Sequence, residues 1–343
     1  MESLMSHLAI AGLQLELCAE DNLTVIEQEI DLVKRRFPWI QMVVLPELCT
    51  YGPGIEMAVQ LPGEVENCFC QAARKNDIWL IPGSILERRG NQVFNTAPVI
   101  NPDGHVIARY QKQYPFYPFE QGVSRGDKFV VFEVPGVGRI GLIICFDIWF
   151  PEIVRQLVWM GAEAIIAPTL TNTIDRNVEL SIARANAATN QVYFININNA
   201  GELGYGQSII VGPDGNVIHQ ASSNREIITV ELDFKHVRRV RERGMHGLVQ
   251  TLKSFRDAGV TYPVYQQGAG PGALSELGPL ELPEGMGCSA VAPSRHQLHV
   301  GARLASNGED LDAEERYQDS GRDEVHGSQD TDDTRRVRQR RCG

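Results

Sequence analysis

The sequence lacks the features that would direct the chain into or across a membrane. Its opening residues, MESLMSHLAIAGLQLEL, do not combine a basic start with an apolar stretch and a small-residue cleavage site. Its apolar runs all fall short of the roughly 18 residues that a spanning helix needs. We therefore expect a cytoplasmic protein without a membrane partner.

Positive charge is also scarce. The formal net charge is −11 at pH 7, with 43 acidic residues against 32 lysines and arginines. The basic string RRVRQRR at 335–341 is interpreted as a solvated charge run near the chain end. These features argue against a nucleic-acid partner.

The cysteines do not form a recognisable metal-binding or disulfide pattern. There are seven, at positions 18, 49, 68, 70, 145, 288 and 342, an odd number without the paired spacing of a zinc site. Cys68 and Cys70 are too close for the usual C-x-x-C pair. Reduced thiols in a reducing compartment are therefore expected, with no metal bound.

Short β-branched apolar runs alternate with helical patterns through the first two thirds of the chain, which predicts an α/β fold of layered sheets and helices. The predicted strands cover 7–17, 41–45, 78–83, 94–100, 106–112, 140–144, 164–167, 192–196, 208–211, 216–220 and 227–232. The predicted helices cover 23–37, 64–75, a segment beginning at Pro151, and 175–190. Two similar halves result, each closing on a hairpin.

The amino-acid composition of the sequence changes near residue 268. Beyond it, glycine, proline, serine and acidic residues dominate, and hydrophobic periodicity vanishes. Such a segment has too little apolar surface to offset the entropy of ordering. We predict one catalytic domain over 1–267 and a disordered tail over 268–343.

Three polar residues follow predicted buried strands, where α/β proteins commonly place their sites. Glu47 follows QMVVLP, Lys112 follows VIARYQ, and Cys145 follows IGLII. Taken singly, they could be an exposed turn residue, a surface lysine and an inert core thiol. Together they supply a nucleophile, a base for its proton and a cation for the oxyanion, which the backbone N–H of Phe146 would also bind. This chemistry requires no metal or organic cofactor.

The motifs around these residues resemble those of the nitrilase superfamily of carbon–nitrogen hydrolases. The matching segments are Leu45-Pro46-Glu47, Tyr110-Gln111-Lys112, Ile144-Cys145-Phe146-Asp147 and Phe150-Pro151-Glu152, in the family's order over about residues 7–255. The resemblance implies a four-layer α-β-β-α sandwich that assembles as a homodimer or larger homo-oligomer. It also implies that Glu47 is the general base, Lys112 the oxyanion stabiliser and Cys145 the nucleophile.

The resemblance extends to a second glutamate and to the branch of the superfamily. Glu120 lies eight residues after Lys112, a spacing associated with amidases, and is expected to position the substrate or the catalytic groups. The pattern C-x-D-x-x-F-P-E after Cys145 is typical of amidases and carbamoylases, with Asp147 as a structural partner. Arg176 and Arg184 could hold a substrate carboxylate, but solvent or partner contacts are equally compatible with their helical pattern.

Several residues near the three strand ends are candidates for the wall of the substrate pocket. Tyr51 and Trp149 are favoured as wall residues, with Phe146 and Tyr117 also expected to contact substrate. Phe119 and Phe150 are instead expected to pack in the core. Thr171 and Asn172 follow the predicted strand at 164–167, and Asn172 is the candidate hydrogen-bonding partner of the substrate.

The expected reaction is hydrolysis of a small carboxamide through a thioester on Cys145. Hydrolysis of an N-carbamoyl compound or a nitrile is the nearest alternative. A catalytically silent scaffold of the same fold, with the acidic tail as its binding element, is an alternative of another class.

Overall fold

The computed structural model of the chain describes residues 6–265. Sixteen strands lie within that range: β1 His7–Gln14, β2 Glu16–Leu17, β3 Met42–Val44, β4 Trp79–Ile81, β5 Ile85–Arg89, β6 Gln92–Ile100, β7 Val106–Gln111, β8 Val123–Ser124, β9 Val130–Val134, β10 Gly138–Leu142, β11 Ala164–Thr169, β12 Tyr193–Asn198, β13 Ala200–Gly201, β14 Ile209–Val211, β15 Val217–Gln220 and β16 Glu226–Asp233. The predicted tail, 268–343, lies outside the described residues.

Six α-helices accompany the strands in the described part of the chain. They are α1 Leu23–Arg36, α2 Glu64–Asn76, α3 Pro151–Trp159, α4 Arg176–Asn190, α5 Phe234–Arg243 and α6 Thr251–Asp257. Over 6–265, none of them is both long enough and apolar enough to cross a bilayer.

Two large sheets carry the fold. The first has eight strands, in the order β16-β1-β3-β4-β6-β5, with β7 and β8 also paired to β6; the second has the order β15-β14-β12-β11-β10-β9. In the first sheet Ile10 pairs with Met42 in parallel and with Val230 in antiparallel register. Parallel pairing of β10, β11 and β12 repeats this arrangement in the second sheet.

Alternation along the strands sorts their side chains into an inner and two outer layers. Leu8 and Ile10 of β1 pack with Leu142 and Ile166 of the second sheet in one core between the sheets. Ala9 and Ala11 face the other way, against the buried stripes of α1 and α2, while α3 and α4 cover the second sheet. This is the predicted α-β-β-α sandwich, and the similarity to a solved structure of the nitrilase superfamily confirms it.

Some elements differ from the sequence prediction. The strand predicted over 7–17 is two strands, β1 and β2, and β5, β8, β9, β13, α5 and α6 were not predicted. The basic helix α5 buries Phe234, Val237 and Val240, a spacing that forms one apolar face, and the first two of these pack in the core between the sheets. Its other arginines are exposed, whereas Arg241 is half-buried and donates to the carbonyls of Gln191 and Ala162.

Candidate active site

Strand ends from both sheets meet at one cavity. Glu47 follows β3 and Lys112 follows β7 in the first sheet, whereas Cys145 opens a 3₁₀ turn shortly after β10 in the second. The Glu47 N–H donates to the carbonyl of Thr169 at the end of β11 (3.3 Å), and the Lys112 N–H donates to the carbonyl of Asn95 on β6 (2.9 Å). These backbone hydrogen bonds fix the main-chain positions of Glu47 and Lys112.

Lys112 joins two carboxylates in a buried cluster. Its Nζ donates to Glu47 Oε1 (2.8 Å) and to Glu120 Oε2 (2.6 Å). Its side chain is 1% exposed, and those of Glu47 and Glu120 are 3% and 8% exposed. Because an ammonium group has three N–H donors, one donor of Lys112 remains for a further acceptor.

Asn95 braces the same two carboxylates, and sequence reasoning missed it. Its Nδ2 donates to Glu47 Oε1 and to Glu120 Oε1, both at 2.8 Å. The backbone N–H of Leu170 donates to Glu47 Oε2 (2.9 Å), and that of Phe116 donates to Glu120 Oε2 (2.6 Å). A polar residue within the apolar strand β6 was the available signal.

Burial and charge set the protonation of this cluster. Burial raises the pKa of Glu47 to about 7; the charge of Lys112 opposes that shift and the charge of Glu120 adds to it. Burial alone would lower the pKa of Lys112, but Glu120 and Glu47 outweigh it and hold that pKa well above its usual value. Lys112 is therefore a permanent cation, whereas Glu47 can exchange a proton near neutral pH.

Cys145 sits in an unusual backbone conformation. Its φ is +43°, in the left-handed region that side chains other than glycine rarely adopt. The Sγ atom lies 3.8 Å from the carbonyl oxygen of Leu170 and 3.8 Å from Thr171 Oγ1. Burial, reinforced by the charge of Glu47 against that of Lys112, raises the thiol pKa well above its usual value.

Asp147 holds the turn that begins at Cys145. Its Oδ2 accepts from the hydroxyl of Tyr110 (2.7 Å) and the N–H of Ile144 (3.1 Å). Its Oδ1 accepts from the N–H groups of Tyr114 (2.9 Å) and Gln113 (3.2 Å). The carboxylate thus ties the turn of the second sheet to the segment that follows β7 in the first, in keeping with a structural role.

One small cavity, with a volume of about 100 Å³, opens onto these groups. Its lining includes the four predicted catalytic residues together with the predicted contacts Phe146, Trp149 and Asn172; the full lining is Ala19, Glu47, Leu48, Pro53, Lys112, Phe116, Phe119, Glu120, Cys145, Phe146, Trp149, Leu170, Thr171, Asn172, Thr173, Asp175, Glu179 and Leu203. Apolar walls around a few convergent polar groups are typical of a small-molecule site.

A family comparison matches this architecture. The family model described as carbon-nitrogen hydrolase matches residues 7–242. The chain belongs to the carbon–nitrogen hydrolase family. The predicted membership of the nitrilase superfamily is thereby confirmed, and so is the predicted reaction class, hydrolysis of carbon–nitrogen bonds other than peptide bonds.

Individual relatives of this hydrolase support the same assignment. It is 32% identical over 223 residues to the omega-amidase NIT2 of Xenopus tropicalis, covering 59% of this chain and 80% of the relative. It is 31% identical over 217 residues to a formamidase of Photorhabdus laumondii, covering 59% and 64%. The crystal structure of Saccharomyces cerevisiae Nit3, of branch 10 of the nitrilase superfamily, superposes with a TM-score of 0.65 at 27% identity, covering 71% of this chain and 96% of Nit3.

The hydrolase structure corrects three predictions about aromatic residues. Tyr51 lies on a separate small cavity, beside Leu48 and Thr50, and packs against the core beneath the first sheet. Tyr117 is half-buried and lies outside the cavity lining. Phe119, expected in the core, is 47% exposed and lines the cavity. Tyr117 and Phe119 differ because neighbouring residues in the loop before Glu120 point to different sides.

A second polar network, which the sequence analysis also did not predict, is centred on Glu179 of α4 and lies close to Cys145. Glu179 Oε2 accepts from Thr171 Oγ1 (2.8 Å) and pairs with Arg176 Nη1 (2.9 Å). Glu179 Oε1 lies 3.4 Å from Asn196 Nδ2. Glu179 and Thr171 line the cavity, whereas Arg176 does not, and Arg184 is exposed.

Proposed function

We propose that this hydrolase converts a small carboxamide into a carboxylic acid and ammonia, with Cys145 as the nucleophile. The observation that carries the proposal is the bridge from Lys112 to Glu47 and Glu120, in the cavity that Cys145 also lines. The names of relatives, omega-amidase and formamidase, support an amide as the substrate.

In the first step, a carboxylate oxygen of Glu47 takes the proton of the Cys145 thiol while Sγ attacks the amide carbon. The carbonyl π electrons move to oxygen. The remaining N–H of Lys112 and the backbone N–H of Phe146 stabilise this oxyanion. The positive charge of Lys112 acts mainly in the transition state, because the ground-state carbonyl oxygen carries little charge.

In the second step, the tetrahedral intermediate collapses and the carbon–nitrogen bond breaks. Glu47 returns its proton to the leaving nitrogen, ammonia departs, and a thioester remains on Cys145. Glu47 then removes a proton from water, whose oxygen attacks the thioester carbon. Collapse of this second intermediate releases the acid, and the thiolate regains its proton from Glu47. We assign Glu120 a positioning role, since it shares both Lys112 and Asn95 with Glu47.

We also propose that the enzyme works in the cytoplasm as a homodimer or larger homo-oligomer. A thiol nucleophile must stay reduced, and Cys18, Cys49, Cys68, Cys70 and Cys145 are free in the described part of the chain. Large apolar side chains remain exposed on α3 and α6, including Trp159 and Phe255. Sedimentation at several concentrations tests the oligomer, and a monomer at all of them would contradict it.

The test of function is ammonia release from a panel of small amides by wild type, Cys145→Ala and Cys68→Ala. Cys145→Ala should abolish turnover while circular dichroism shows a folded protein. Cys68→Ala, which removes a thiol from α2 outside the cavity, should retain it. Mass spectrometry of wild type with substrate should show an acyl group on Cys145. Turnover by Cys145→Ala would refute the proposal. If wild type released carbon dioxide from an N-carbamoyl compound faster than ammonia from any amide, the substrate would be an N-carbamoyl compound and not a carboxamide.

A further inference from the structure

The cavity carries acidic side chains beyond those that the proposed mechanism uses. Glu179 lies on α4 and is 2% exposed, and Asp175 directly precedes the helix. Both line the cavity, as does Thr171. Asp175 Oδ1 accepts from the hydroxyl of Thr173. Neither carboxylate contacts Lys112 in the bonds described above, so they form a second acidic group in the cavity, and Thr171 joins Glu179 of this group to the side of Cys145.

The charges of the lining do not balance. Among the residues described over 6–265, the cavity lining holds the carboxylates of Glu47, Glu120, Asp175 and Glu179 and a single cation, Lys112. Both Glu47 and Glu120 already share that lysine. A substrate in this cavity therefore meets an excess of negative charge.

Arg176, which sequence reasoning considered as a carboxylate clamp, pairs with Glu179 and offsets one of these negative charges, but together with Lys112 it still leaves two of the four carboxylates without a cation. It is 3% exposed, lies outside the cavity lining, and donates to the carbonyl groups of Gly206 (3.2 Å) and Gln207 (2.8 Å) and to Asn196 Oδ1 (2.9 Å). Its remaining contact is the ion pair with Glu179. The arginine thus holds Glu179 in place from behind.

Glu179 keeps acceptor capacity toward the cavity. A carboxylate offers about four lone-pair positions, and three donors approach this one, from Thr171, Arg176 and Asn196. The hydroxyl of Thr171 donates its proton to Glu179. Its oxygen can therefore only accept a hydrogen bond on the side that faces Cys145. Together these groups suit a hydrogen-bond donor that carries positive charge.

We propose that the cavity selects amides whose acyl group carries a protonated amine and rejects those whose acyl group carries a carboxylate, with Glu179 and Asp175 setting this preference. The inference rests on the proposed amidase function for its substrate class. It adds a preference for the charge of the acyl group, which the names of the relatives do not indicate.

A matched series of amides measures this preference directly. β-Alaninamide, butyramide and succinamate share one skeleton and differ in an end group that is cationic, neutral or anionic. We expect kcat/KM of the wild-type enzyme to fall in that order. Glu179→Gln and Asp175→Asn, which remove charge and keep size, should each lower the β-alaninamide to succinamate ratio by about tenfold, as expected for one charge in a partly solvated cavity. Glu242→Gln, on the exposed side of α5, should leave it unchanged.

Alkylation of Cys145 provides a readout that does not need turnover. Its thiolate displaces iodide from neutral iodoacetamide or anionic iodoacetate, and peptide mass spectrometry follows the thioether on this residue alone. Relative to glutathione, wild type should favour iodoacetamide, and Glu179→Gln and Asp175→Asn should reduce that preference by about tenfold.

The outcomes separate the two proposals. If butyramide is hydrolysed but neither ratio responds to Glu179→Gln or Asp175→Asn, charge selection is refuted and the amidase function stands. If no amide releases ammonia from wild type but the alkylation ratio responds, the amidase function is refuted, and what stands is the preference of the cavity against negatively charged molecules. Faster hydrolysis of succinamate than of β-alaninamide by wild type would also refute charge selection.

Discussion

Substitution of Asp147 can separate the charge of its carboxylate from the four hydrogen bonds that the carboxylate accepts. In Asp147→Ala all four donors lose their partner. In Asp147→Asn the amide oxygen, placed at Oδ1, keeps both backbone N–H donors, and the new NH₂ group donates to the hydroxyl of Tyr110, which rotates to accept. Only the N–H of Ile144 then faces another donor.

The difference between the two variants has a definite size. Both remove the charge, so the cost of burial, which raises the pKa of Asp147 to about 6, cancels when they are compared. Three hydrogen bonds distinguish them, at a net value of about 1 kcal/mol each. The free energy of unfolding of Asp147→Ala should therefore lie about 3 kcal/mol below that of Asp147→Asn.

Urea unfolding followed by circular dichroism measures this difference, with Asp257→Ala on the exposed surface of α6 as the control. Ammonia release should also fall further in Asp147→Ala, because the left-handed conformation of Cys145 depends on the turn that Asp147 holds. Equal stability of the two variants, within about 0.5 kcal/mol by the usual precision of such comparisons, would refute this account of the turn.

Four further predictions test the proposed catalytic cluster and the cavity wall. Lys112→Met should lower kcat by about a hundredfold or more with little change in KM, since it removes an oxyanion donor; a change in KM alone would make Lys112 a binding residue. Because burial raises the pKa of Glu47 to about 7 and the base acts ionised, kcat/KM should rise with pH and level off above about 7. Asn95→Ala removes a hydrogen-bond donor to the ionised form of Glu47, so the rise of kcat/KM should move to higher pH by about one unit. An unchanged pH profile would show that Asn95 does not affect the protonation of Glu47. Phe119→Ala should raise KM without loss of stability, because this side chain is 47% exposed; an unchanged KM would remove it from the pocket wall.

The sequence predicted the main elements of the sandwich because their apolar periodicity is strong. Buried strands such as β3 and β11, and helices such as α1 and α4, have runs whose spacing follows directly from the layers they separate. The elements that were not predicted have weaker patterns. Strand β5 ends in two exposed arginines, and α5 is mostly basic, with an apolar stripe of only three buried residues.

The candidate site was predictable where reactive side chains follow strands, and less so elsewhere. Glu47, Lys112 and Cys145 stand out because a carboxylate, an ammonium group and a thiol are unusual beside buried apolar strands. Asn95 and Glu179 lie within a strand and a helix, and only the packing of distant elements brings Asn95 to the carboxylates of Glu47 and Glu120 and brings Glu179 to the cavity. The direction of Tyr51 and Phe119 depends on loops, which periodicity does not describe.

The electrostatics of the cluster explain how a buried thiol can remain protonated until substrate arrives. Lys112, which Glu47 and Glu120 share, favours the thiolate of Cys145, but burial of the thiol and the negative charge of Glu47 outweigh it and raise the pKa of Cys145. Ionising the free thiol would add a negative charge beside two others. During attack that charge passes to the substrate oxygen, next to the unused donor of Lys112, while the proton passes to Glu47. The same lysine therefore gives little support to the resting thiolate and much more to the oxyanion, which is the difference in stabilisation that catalysis requires.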